Sequence, residues 1–287
     1  MMSLNELFSK QQTIPLFQID AFTNQSFKGN PAAVCILEEE LDDDVLQKIA
    51  AEMNLSETAF VRVQDMSTIN KESTFALRWF TPLVEVNLCG HATLATASVL
   101  FNKFGIESEE IFFETLSGRL SARKTDEGIA LNFPRNSPQQ LHASEELLGA
   151  LGITNYTCAA YAEKVSDFLI EVDNEVEVKY LKPDFEKLKN LALDIDIRGI
   201  IITARGIKET DFVSRFFAPW VGINEDPVTG SAHTILAPYW SAKLHKNTMK
   251  AQQISARGGE ITVRLLDDER VEIIGKTKMV VEGKLLL

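Results

Sequence analysis

The chain has 287 residues, 45% of them hydrophobic, and 29 Lys and Arg against 41 Asp and Glu give a net charge of −12. At about 100–200 residues per domain, that length fits two domains or one duplicated unit with a sizeable core. The acidic balance argues against nucleic-acid or membrane-surface partners, which need a basic face.

The N-terminal stretch, Met1 to Gln12, is polar with scattered Leu4, Leu7 and Phe8. It lacks the long apolar segment of a signal peptide, so the cytoplasm is the expected compartment. Leu16–Ala21 and Ala33–Leu37 read as short apolar strands joined by a turn-rich loop, Thr23–Pro31. Asp42–Met53 has helical spacing through Val45, Ile49, Ala50 and Met53, with Asp42 as the expected cap. Thr58–Val63 and Thr74–Phe80 read as strands, and His91–Phe101 as an apolar, small-residue helix beginning just after Gly90. A meander follows at Ile111–Glu114, Arg119–Lys124 and Ile129–Phe133. Arg135–Leu141 is polar, contains Pro138 and reads as a linker. Beyond it come a short helix at Glu145–Leu151 and strands at Phe168–Val172, Gly199–Thr203 and Asp211–Phe217. A second apolar helix, Ser231–Lys243, follows Gly230, and strands at Glu260–Leu265, Arg270–Gly275 and Lys278–Gly283 close the chain. No apolar run reaches the roughly 18–20 residues that cross a bilayer.

The two halves repeat. Arg78–Cys89 aligns with Arg215–Asp226 at an offset of 137, with Arg78/Arg215, Phe80/Phe217, Pro82/Pro219, Val84/Val221 and Asn87/Asn224 identical. Gly90-His-Ala matches Gly230-Ser-Ala at an offset of 140, and Gly118–Arg123 matches Gly259–Arg264 at 141. Three blocks in one order point to duplication, giving lobes 1–133 and 134–287. The last strand, about 278–287, is left free to pack on the first lobe. Pseudo-twofold lobes bring their matching loops to a shared cleft, a favoured place for a small-molecule site.

The residues that can carry chemistry lie in those loops. Gly90 and His91 open the first helix, whose free N–H groups suit an anion such as a carboxylate. The dipole there disfavours a charged His91; gap-filling is the alternative role. In the second loop Asp226 stands where Cys89 stands in the first, and Ser231 where His91 stands. Asp226, Thr229 and Ser231 are also capping types, and capping is the preferred role for Thr229. Glu57 lies between a helix and the apolar Ala59-Phe60-Val61 strand. It is either a solvated turn residue or a partly buried carboxyl suited to moving protons near neutral pH. Cys35, Cys89 and Cys158 form no disulfide framework, and neither they nor the four histidines have metal-site spacing. Arg257-Gly-Gly-Glu260 lacks phosphate-loop spacing, and no nucleotide-binding fingerprint or nucleophile elbow occurs.

Taken together, Asp20-Ala-Phe-Thr, Gly29-Asn-Pro-Ala-Ala-Val, Asn54-Leu-Ser-Glu-Thr, Cys89-Gly-His-Ala-Thr, Glu225-Asp-Pro-Val-Thr-Gly-Ser-Ala-His and Gly258-Gly-Glu resemble the phenazine-biosynthesis PhzF-like isomerase family. The resemblance spans about residues 16–265. It implies an α+β, diaminopimelate epimerase-like fold of two pseudo-symmetric lobes, each a mixed β-sheet rolled around a central α-helix. It also implies Glu57 as general acid–base, with His91 and Asp226 beside it. Gly90, Gly230, Ser231 and Asn30 are the implied substrate contacts.

The related epimerases use one cysteine from each lobe. With Asp226 opposite Cys89, a two-thiol racemase is disfavoured, because the two groups ionise in different ranges. The expected function is a cofactor-independent isomerase that moves a proton and double bond on a small carboxylate. The chain is expected to need no metal and to form a homodimer. The competing readings are an amino-acid epimerase or racemase, and a non-catalytic small-molecule-binding protein of the same fold.

Overall fold

The computed structural model describes residues 13–193, 195–267 and 269–287. The stretch read above for a leader, residues 1–12, lies outside them. In the first half, strands β1 (Thr13–Ala21) and β2 (Asn30–Leu37) precede helix α1 (Asp43–Met53). Then come β3 (Glu57–Arg62), β4 (Thr74–Phe80), the two-residue β5 (Glu85–Val86), α2 (Gly90–Ser98), β6 (Glu110–Thr115), β7 (Gly118–Thr125) and β8 (Gly128–Pro134). The second half opens with β9 (Gln139–Gln140), α3 (Glu145–Leu151), β10 (Cys158–Ala162), β11 (Asp167–Glu171), α4 (Glu175–Tyr180) and α5 (Phe185–Asn190). It continues with β12 (Gly199–Arg205), β13 (Phe212–Ala218), β14 (Ile223–Asp226), α6 (Gly230–Leu244), β15 (Thr248–Gln253), β16 (Gly259–Leu265), β17 (Arg270–Gly275) and β18 (Thr277–Leu286).

Two lobes of mixed sheet wrap α2 and α6. Both helices are apolar on every side, the pattern of a helix enclosed by other structure rather than laid on a surface. Residues 91–98 of α2 are all buried, and eight residues of α6 are buried along its length. One hydrophobic core runs through both, from Phe22 and Leu94 to Val228 and Ile235. The lobes repeat each other strand by strand. β2 and β3 are parallel, with α1 in the crossover between them. β11 and β12 are likewise parallel, with α4 and α5 in theirs. β4 pairs parallel with β6 as β13 does with β15. β8 pairs antiparallel with β17 across the molecule. The last strand crosses back, lying antiparallel on β1 from Thr13↔Leu286 to Ala21↔Thr277. No helix among the described residues is long and apolar enough to cross a membrane.

Several elements differ from the expectations. Cys158–Ala162 is a strand although three of its five residues are alanine, a weak strand former. Thr248–Gln253 is also a strand; its buried face is Met249, Ala251 and Gln253, and the polar Gln253 hides the alternation. The expected linker contains a two-residue strand that pairs with β10. α2 ends at Ser98 and gives way to a wider, π-helical turn over Val99–Lys103. Asp42 precedes α1 but makes no side-chain cap hydrogen bond.

Candidate active site

Glu57 is the first residue of β3, reached from α1 through Asn54 in a left-handed conformation (φ 50°). Asn30 opens the neighbouring parallel β2, so both residues lie at the same end of the pair. Gly29 makes this possible. Its φ is +63°, and a Cβ there would lie 2.0 Å from the Ala21 carbonyl oxygen. The loop ahead of it is clamped from the other half by Arg257, whose guanidinium donates to Asp20 Oδ1 (2.8 Å), the Gly29 carbonyl (2.8 Å) and the Lys28 carbonyl (2.9 Å). The Arg257-Gly-Gly-Glu260 segment therefore works as a clasp. Gly259 lets Phe22 and Val228 close over it, since a Cβ would stand 2.4 Å from Val228 Cγ2.

α2 and α6 meet at their first residues. A Cβ on Gly90 would be 3.4 Å from Gly230 Cα, and one on Gly230 would be 3.4 Å from Gly90 Cα. A Cβ on either glycine would just touch the other backbone, so the two helix starts lie in direct contact. Two sets of free N–H groups and two positive dipole ends therefore converge.

Around them runs one polar network. Asn30 Nδ2 donates to Asp226 Oδ1 (2.8 Å) and to the Val228 carbonyl (2.9 Å), and stands 3.3 Å from His91 Nδ1. The two hydrogens of Asn30 Nδ2 go to the nearer Asp226 and Val228 oxygens, so its contact with His91 Nδ1 does not by itself set the imidazole tautomer. His91 Nε2 lies 3.2 Å from Glu57 Oε2. The two are close but not aligned, and both atoms are buried without a hydrogen-bond partner. Such orphaned groups are costly, and each calls for an explanation in strain, chemistry or a bound partner. Cys89 Sγ stands 3.5 Å from His91 Nδ1. Asp226 Oδ2 accepts from Thr229 Oγ1 at 2.5 Å. Fully buried Gln253 braces this side, accepting from the Thr229 N–H and donating to the Asp226 carbonyl.

The electrostatics follow from burial. Desolvation, then the Asp226 charge, push Glu57 up to about 8, against a smaller pull from the Cys89 thiol and the Arg198 charge. Burial pushes Asp226 up to about 6, although hydrogen bonds from Thr229 and Asn30 favour its ionised form. Burial brings His91 down to about 3, so it is neutral at pH 7. Burial and the Glu57 charge hold the Cys89 thiol well above its ordinary value. The donor atoms of Glu57, Cys89 and His91 lie within 4.8 Å of one another, the one metal-ligand-like grouping among the described residues.

The model of the family described as phenazine biosynthesis-like protein, PhzC-PhzF, matches residues 19–283. This chain belongs to that family. The PhzF-family chain is 46% identical over 284 residues to a phenazine biosynthesis-like domain-containing protein of Mus musculus, covering 95% of this chain and 99% of the mouse protein. It is 47% identical over 274 residues to an uncharacterized isomerase of Pseudomonas aeruginosa, covering 96% and 99%. A PhzF-family phenazine biosynthesis protein of Enterococcus faecalis, known from its crystal structure, matches with a TM-score of 0.88 and 43% identity, covering 96% of this chain and 100% of that one.

All seven residues singled out from the PhzF-like sequence, Glu57, His91, Asp226, Gly90, Gly230, Ser231 and Asn30, lie in or beside this network. Two sequence readings change. Cys89 and Thr229 immediately precede the two central helices, so Thr229, not Asp226, is the counterpart of Cys89. The matching ion pairs fix the register: Arg78 clasps Glu85 as Arg215 clasps Glu225, each through Nε and Nη2. The three extra residues of the second loop therefore fall between Phe217 and Glu225, in the turn that begins at Pro219. The Asn87/Asn224 identity is then a coincidence of the ungapped alignment. Thr229 also makes no side-chain cap hydrogen bond; its hydroxyl goes to Asp226. The site still holds one thiol, as the sequence implies. Arg198, Gln253 and the role of Arg257 are missing from the sequence reading.

Proposed function

We propose that this PhzF-family chain is a cofactor-independent isomerase that moves a proton, and with it a double bond, on a small carboxylate. Glu57 is the general acid–base. The observation that carries this is the buried, unpartnered Glu57 Oε2 beside His91 Nε2 at the meeting point of two helix N-termini. The substrate carboxylate sits between the helix starts, where backbone N–H groups take up the charge that develops when a neighbouring carbon loses its proton. One well-placed donor of this kind is worth roughly 10²–10³ in rate. Glu57 Oε2 removes that proton and returns it to a second carbon on the same face. His91, neutral at pH 7, steadies the carboxylate form of Glu57 in the tautomer that carries its proton on Nε2. Asp226, held by Asn30 and Thr229, orients polar groups of the substrate. A two-thiol racemase has no support, because the residue opposite Cys89 is Thr229.

The test is incubation of a panel of small unsaturated and amino carboxylic acids with the protein in D2O, followed by NMR. At least one acid should gain deuterium at carbon and yield a double-bond isomer. A panel that returns unlabelled, or labelled only with inversion at one carbon, overturns the proposal.

A further inference from the structure

Arg198 is the cation at this site. Its charge bears on both Glu57 and Asp226. Its placement is elaborate for a residue in a loop. Asp167, fully buried, accepts from Nε at 3.0 Å and also pairs with Nη2. The guanidinium lies over the Phe216 ring, with Cζ 5.3 Å from its centroid. Gly199 leaves room for that ring, since a Cβ there would stand 2.2 Å from Phe216 Cζ. Nη2 also donates to Ser231 Oγ at 3.0 Å. Because Ser231 Oγ is an acceptor in that bond, its own hydrogen remains available to a ligand. Among the described residues Nη1 has no hydrogen-bond partner, and the side chain is 38% exposed.

Ser231 is the second residue of α6, so these donors stand directly beside the helix starts. Two helix N-termini already supply enough N–H groups for the two oxygens of one carboxylate. The Ser231 hydroxyl and Arg198 Nη1 are in excess of it. With Nε and Nη2 engaged by Asp167 and Ser231, Nη1 and the neighbouring Ser231 hydroxyl are two donors for the two oxygens of a second carboxylate.

We propose that Arg198 and Ser231 form a second oxyanion subsite beside the helix N-termini, and that the substrate is a short dicarboxylate. This rests on the reading that the cleft binds a carboxylate between α2 and α6. Arg198 is a recognition residue and takes no part in proton transfer. Asp167, Phe216 and Gly199 hold its fork in place.

Calorimetric titration of the full chain at pH 7 with succinate and with butyrate, which share four carbons, tests this. Succinate should bind about tenfold more tightly, the increment of one charge-assisted contact. Arg198→Gln should erase that advantage while leaving butyrate within about twofold, and Arg198→Lys should keep part of it. The single variant strands buried Asp167, so Asp167→Asn with Arg198→Gln serves as a folded control and should behave like Arg198→Gln. Equal affinities for the two acids overturn the subsite and leave the carboxylate cleft standing. A loss shared equally by both acids in the variants also overturns it, because Arg198 would then only orient Ser231. If neither acid binds the parent protein, the carboxylate reading and the subsite fall together.

Discussion

Glu57→Gln keeps the shape of the side chain and removes its ionisation. In the folded protein Glu57 is pushed from its ordinary 4.5 up to about 8. The unfolded chain has no burial to raise it, so between those values folding takes up a proton. A raised carboxyl value contributes stability that is complete below 4.5 and is lost as pH rises through about 8. One unit corresponds to about 1.4 kcal/mol. The contribution lost between pH 5 and pH 7 is therefore about 2–3 kcal/mol. The substituted glutamine stays neutral throughout, so the variant lacks this slope. Urea unfolding of both proteins at half-unit steps from pH 5 to pH 8 reads the difference, because nearly all other titrating groups are common to the two. The variant should gain about 2–3 kcal/mol on the parent between pH 5 and pH 7. Parallel stability curves would refute the buried, protonated Glu57 on which the proposed chemistry rests. A stabilised but inactive variant is the usual mark of a group kept for function.

Three further outcomes follow from the same geometry. Proton removal needs the carboxylate form of Glu57, so kcat/KM should rise about tenfold per pH unit below its folded value of about 8 and level off above it; a profile flat from pH 6 to pH 9 argues against Glu57 as base. Gln253→Ala strips the buried brace from Thr229 and the Asp226 backbone, and should cost about 2 kcal/mol in urea unfolding, whereas a loss below about 0.5 kcal/mol makes the brace incidental. Arg257→Ala leaves Asp20, which is 1% exposed, without its cation. A cost of about 3 kcal/mol is expected, with faster proteolytic cleavage between Thr23 and Gly29, and unchanged cleavage there contradicts the clasp.

Much of this was legible in the residues. The strand–loop–helix repeat shows because its fixed points recur: Arg78 and Arg215 pair with their carboxylates, and Gly90 and Gly230 open the two central helices where these touch. The apolar all-round helices announce enclosure. Register between the repeats was harder. An ungapped alignment sets Asp226 against Cys89, and only the ion pairs and helix starts show the gap falling before Glu225. Arg198 was invisible because it lies in Ile195-Asp-Ile-Arg-Gly, a loop with no motif. Its partner Asp167 and the ring beneath it come from the two strands that flank β12, remote from Arg198 in sequence. Gln253 carries no local signal, since nothing in Thr-Met-Lys-Ala-Gln-Gln says that the strand turns that glutamine inward. Glu57 was ambiguous locally. Its meaning comes from burial beside His91, which is a property of the fold.

The central claim is that Glu57 carries the proton. The direct measurement is the rate at which Glu57→Gln washes solvent deuterium into the acid that the parent labels, with binding of that acid followed in parallel. The rate in the variant should be lower by about 10²–10⁴ with binding retained. Wash-in near the parent rate in the variant would contradict it and move the proton transfer to another group.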